Sequence, residues 1–89
     1  MMTVYYYTIF RMPEDEKIRE KLLNILRDIS SKDKSFMWGI SRDGKHITII
    51  SENEKQAYAR GYWIKQKADL PKDYLKKMFF NVVKIESLE

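Results

Sequence analysis

The 89-residue chain has no cysteine, so it can form neither a disulfide framework nor a thiolate metal site. It has one histidine, His46, which excludes a metal site made of several histidines from a single chain. Three glycines and two prolines are too few for a flexible linker or a low-complexity tract. The glycines (Gly39, Gly44 and Gly61) are isolated, so no G-x-x-x-x-G-K or G-x-G-x-x-G loop is present to cradle phosphates. No apolar run approaches the ~18 residues of a membrane span. The first residues lack the basic region and small-residue cleavage site of a signal peptide. These absences predict a reduced, cytoplasmic domain that needs no metal and no cofactor.

What remains is a globular balance, with 44% hydrophobic and 34% charged residues. A chain of this length buries only ~60–65% of its unfolded surface. One core, and hence one domain spanning residues 1–89, is expected.

The net charge of +4 is unevenly distributed. Between Pro13 and Lys34 six cations face six anions, and that stretch is neutral. Between Lys55 and Lys67 there are four cations (Lys55, Arg60, Lys65 and Lys67) and no anion, with Tyr58, Tyr62 and Trp63 interleaved. Local basic excess with aromatics is the footprint of an acidic partner, nucleic acid among them.

Thr3–Met12 is dense in β-branched and aromatic residues and predicts a strand. Pro13 is expected to open a helix, with Glu14, Asp15 and Glu16 in its first turn, where the helix dipole favours anions. Ile18, Leu22, Ile25, Leu26 and Ile29 then form one buried stripe. Asp15–Arg19 and Asp28–Lys32 have the spacing of i,i+4 ion pairs.

Asp43-Gly44 sits between two apolar runs and predicts a two-residue type I′ hairpin. From that turn outward, Ile40 faces Ile47, Trp38 faces Ile49 and Phe36 faces Ser51, which gives one nearly all-apolar face. A slip of one residue would move every side chain to the other face. Ser51-Glu52-Asn53-Glu54 has the spacing of a capping box, so a second helix is expected to run to about Ala68. Ala57, Gly61, Ile64 and Ala68 would form its buried stripe. A short extra helix over Lys72–Phe79 and a last strand over Asn81–Leu88 complete the chain. The order is β-α-β-β-α-β, the plan of an α+β, ferredoxin-like domain with an antiparallel sheet and two helices on one face.

No nucleophile–histidine–acid system is suggested by the spacing, and the third strand, His46–Ser51, has none of the aromatics with which an RNA recognition motif stacks bases. No catalytic residue is assigned. Two surfaces remain. On the sheet face without helices we expect Met37, His46, Thr48, Ile50 and Lys84, joined by Tyr5 and Tyr7 where that side of the first strand is the open one and by Val4, Tyr6 and Phe10 where it is the core. There Val82, Lys84 and Glu86 would point outward, and Val83 and Ile85 inward. The first strand is apolar on both sides, so a second copy is expected to cover this face and form a homodimer. On the second helix, Gln56, Arg60, Trp63, Lys65 and Lys67 are expected to form a partner-binding surface. The leading expectation is a small non-enzymatic protein that binds nucleic acid through its phosphates. The alternatives are an inhibitor or adaptor module of phage or viral type that docks on a larger protein, and a ligand sensor or enzyme using the open sheet face.

Overall fold

In the computed structural model, which describes residues 2–88, a strand β1 (Met2–Arg11) leads into helix α1 (Glu16–Lys32). The hairpin β2 (Met37–Ile40) and β3 (His46–Ser51) follows, then α2 (Glu54–Lys67), a short α3 (Lys72–Lys77) and β4 (Phe80–Leu88). β1 is a central strand, paired with β3 on one side and β4 on the other. The sheet order is β2-β3-β1-β4, and every adjacent pair is antiparallel. The result is a small α+β domain compatible with the expected plan.

Register decides which side of each strand is core. Thr8 lies opposite Ile49 and Phe10 opposite Ile47, and all four are buried. Phe10, Ile47 and Ile49 share one hydrophobic cluster with Leu22 and Leu26 of α1 and Ile64 of α2, so both helices cover the same face. Tyr6, Thr8 and Phe10 therefore point toward the helices, and Tyr5, Tyr7 and Ile9 point to the open face. The α1 stripe is as expected, with Leu23 also buried.

Expectations at four places in the chain are corrected. Pro13 is not the first helical residue: Asp15 is the N-cap, and its carboxylate accepts the N–H groups of Lys17 and Ile18 at 2.9 and 3.1 Å. A carboxylate at the cap satisfies free helix donors. Asp15 is thus engaged at the cap rather than with Arg19, while Asp28–Lys32 forms as expected at 3.2 Å. Ser51 does not build a capping box with Glu54, because it still belongs to the β1–β3 ladder opposite Tyr6. Asn53 caps α2 instead, accepting the N–H of Gln56 at 2.8 Å.

The hairpin register is as expected, yet the turn is not type I′. Only Gly44 has a positive φ, at 74°, and its N–H closes a turn onto the Ser41 carbonyl at 2.9 Å. The Asp43 side chain accepts from the Ser41 hydroxyl at 2.6 Å and from the Lys45 N–H at 3.0 Å, which holds a four-residue loop between Ser41 and His46. The fourth correction concerns β4. Tyr6 pairs with Lys84 and Phe10 with Phe80, so Phe80, Val82, Lys84 and Glu86 lie on the helix side. Val83 and Ile85 lie on the open face, opposite Tyr7 and Tyr5.

The turn after α2 passes through Asp69, whose φ of 50° is left-handed. Lys21 reaches across from α1 and donates to the Asp69 carbonyl at 2.6 Å. α3 is then tied to the sheet by the Tyr74 hydroxyl, which donates to the Arg11 carbonyl at 2.8 Å; burial pushes the pKa of this phenol up to about 12.

Candidate functional site

The inward side of α2 is tightly fitted. Ala57, Gly61 and Ile64 are buried, as is Ala68 at its C-cap. At Gly61 an ideal Cβ would lie 2.5 Å from the Phe80 ring, so glycine is what lets that ring tuck under the helix. Tyr58 and Tyr62 flank Phe80 edge-on, with ring centroids 6.3 and 5.1 Å away. The buried Thr8 hydroxyl donates to the Ala57 carbonyl at 2.7 Å and fixes the helix over β1.

The structure distributes the five expected binding residues over three places. Gln56, Trp63 and Lys67 face solvent on the outer side, Trp63 with 41% exposure. Arg60 turns inward instead. Its Nη1 donates to the Ile50 carbonyl at 3.0 Å and the Ser51 hydroxyl at 2.9 Å, and its guanidinium lies 4.9 Å from the centre of the Phe36 ring. Burial pulls the Arg60 pKa below its ordinary value, opposed by the charges of Asp33 and Glu52. Lys65 takes the other flank, 5.5 Å from the centre of the Phe79 ring.

Tyr58 and Tyr62, interleaved in the basic stretch, were not placed on the expected binding surface, and Phe79 was not singled out at all. Tyr58, Tyr62 and Phe79 are 43%, 51% and 74% exposed. Tyr62, Lys65, Lys72 and Lys76 line an open cavity of about 530 Å³ whose other residues are Gln66 and Leu75, so no acid lines it. A signal for Phe79 was present: of two adjacent phenylalanines leading into a strand, only one can face the core. Phe80 takes that place.

On the far flank, Trp63 borders a cleft of about 300 Å³ with Ile29, Phe36, Ile49, Ile64, Asp33 and Arg60. Hydrogen bonds from the Ser35 hydroxyl and N–H hold the Asp33 carboxylate below its ordinary pKa.

Tyr5, Tyr7, Met37, His46, Thr48 and Ile50 do lie on the open sheet face, whereas Lys84 does not. Met37, Ile50, Tyr7 and Val83 form one apolar row across all four strands. His46 is exposed at the margin of this face beside Arg11. Arg11, Arg19, Lys45 and His46 also line a cavity of about 400 Å³ with Glu14. Among the described residues no group of three His, Asp or Glu side chains is placed to hold a metal ion, and no helix is long and apolar enough to cross a membrane. Comparison with protein-family models, curated proteins and solved structures finds no match for the chain.

Proposed function

We propose that this protein is a small binding module that engages nucleic acid through the solvent-facing side of α2 and the adjoining α3. Three exposed aromatics on one helix, Tyr58, Tyr62 and Trp63, interleaved with Lys55, Lys65 and Lys67 in a stretch from Lys55 to Lys67 that holds no acid, carry this reading. Cations neutralise phosphates, and exposed rings give bases a surface to stack on, a combination that suits single strands without demanding a sequence. Phe79 and the lysines of α3 extend the same surface. Arg60 contributes by holding α2 in place rather than by touching the ligand. We further read the fold as ferredoxin-like, since the strand order taken from the β4 edge is 4-1-3-2 with all neighbours antiparallel.

Binding of a fluorescent single-stranded oligonucleotide, followed by anisotropy over a salt series, tests the proposal. Binding should weaken steeply with salt. Lys65→Glu should flatten the salt slope by about 1 for each phosphate that is no longer neutralised. Tyr62→Ala should cost about 1–3 kcal/mol with little change in slope. Absence of salt-dependent binding in the parent protein would sink the proposal. A second reading, an adaptor or inhibitor docking on a protein, is favoured by the apolar cleft beside Trp63. Under that reading Trp63→Ala abolishes capture of the protein partner, and nucleic-acid binding is negligible in both forms.

A further inference from the structure

The two edges of the sheet differ in kind. β2 is an edge of four residues interrupted by Gly39, too short to invite another strand. β4 is an edge of nine residues with neither glycine nor proline, paired with β1 on one side only. Its outer row of N–H and C=O groups is a template for a further strand, guarded by the helix-side charges Lys84 and Glu86, which any added strand must match.

The charges on β4 say which strand fits. Among Phe80–Leu88 the only charged residues are Lys84 and Glu86, which sit two apart on the same face, with Lys84 Nζ 3.0 Å from Glu86 Oε1. In an antiparallel pairing of β4 with its own copy about a two-fold axis at Ile85, residue 84 of each strand stands opposite residue 86 of the other. Lys84 then faces Glu86 twice, and the four charges alternate in sign. Moving the axis to Lys84 sets lysine against lysine, and moving it to Glu86 sets glutamate against glutamate. Only the Ile85 register matches unlike charges, and cross-strand pairs of this kind are what stabilise a sheet.

We propose that β4 is a self-association edge, on which a second copy of this chain adds its own β4 in the Ile85 register and makes a continuous eight-stranded sheet. The two-fold axis is perpendicular to the sheet, so the helices of both copies lie on one side and the open faces join on the other. Ile85 meets its counterpart at the axis on the open face. This interface follows from the edge rather than from the open face, and it does not depend on the nucleic-acid reading.

The test is a charge swap read by size-exclusion chromatography with light scattering over a concentration series of the full chain. The parent should dimerise. Lys84→Glu and Glu86→Lys should each weaken the dimer about tenfold, because each turns two facing pairs from attraction to repulsion. The double variant K84E/E86K should recover parent affinity to within about twofold, which a merely misfolded single variant would not do. A parent monomeric at every concentration overturns the proposal, and so does a double variant as weak as the singles. Dissociation by Tyr7→Ser with no effect of Lys84→Glu would overturn it in favour of face-to-face packing.

Discussion

The inner and outer sides of α2 are built from similar residue types put to opposite uses. On the inner side the polar groups find partners within the chain: Arg60 holds the end of β3, and the Ala57 carbonyl takes the Thr8 hydroxyl. Aromatic Phe80 fills the gap that Gly61 leaves. On the outer side Lys67 stands in water, Trp63 is 41% exposed at the rim of its cleft, and Tyr62 packs edge-to-face with Phe80 while staying half exposed. A cation or an aromatic ring in this helix therefore says little until its side is known. Within one element, position around the axis separates a residue that stabilises the fold from one free to meet a ligand.

Substitutions on the two sides should separate the two roles. The largest effect is expected at Gly61→Leu, where a side chain would have to displace Phe80. Overpacking of this kind costs about 1–3 kcal/mol, to be read as a lowered urea midpoint. A variant as stable as the parent would show that the helix does not sit so close to the ring. Arg60→Met keeps the stem and removes the donors, so the Ile50 carbonyl and Ser51 hydroxyl are left without their partner. A destabilisation of about 1–2 kcal/mol is expected, with the salt slope of nucleic-acid binding unchanged. A changed slope would return Arg60 to the ligand surface. Thr8→Val removes the buried hydroxyl at nearly constant volume and should cost about 1 kcal/mol in the same measurement.

The smallest effect lies away from the helix, at Asp43. Its carboxylate is held below its ordinary pKa first by the Ser41 hydroxyl and then by the Lys45 N–H. A folded pKa below the unfolded one means that the stabilisation is present above the unfolded value and disappears as pH falls through the folded value. Carboxyl chemical shifts followed by NMR should place the Asp43 midpoint below that of an unfolded aspartate. A midpoint at the ordinary value would show that the loop does not depend on these bonds.

Sidedness also decided which elements could be read from the sequence. Those with one apolar side were legible, since α1 and the β2–β3 register each admit a single amphipathic solution. The face of β1 was not, because valine, tyrosine, isoleucine and phenylalanine occupy both parities. β4 was misread for a related reason. Val83 and Ile85 look like core beside Lys84 and Glu86, but the parity is set by Phe80, which must enter the space over Gly61. That places Lys84 and Glu86 on the helix side, beyond the buried part of the sheet, where both remain exposed. Arg60 turns inward although spacing puts it on the same column as Trp63 and Lys67, because the hydrogen-bond acceptors at the end of β3 come from a different element. Phe79 was not singled out, nor Lys72 and Lys76 grouped with Tyr62 and Lys65, because all three lie across a helix break from α2.

The central position of β1 has a kinetic consequence. The β2–β3 hairpin closes a short loop, and such hairpins form in ~1–10 μs. β1 cannot complete its pairing so locally, because Met2 pairs with Leu88 and Phe10 with Phe80. Joining the two ends of the chain carries a loop-closure entropy that later contacts must offset. Folding should therefore be slow for so small a chain, limited by the meeting of β1 and β4. In stopped-flow experiments Val83→Ala, which trims the strand paired with Tyr7, should slow folding, because the β1–β4 contact forms in the rate-limiting step; a variant that only unfolds faster would place β4 docking after it.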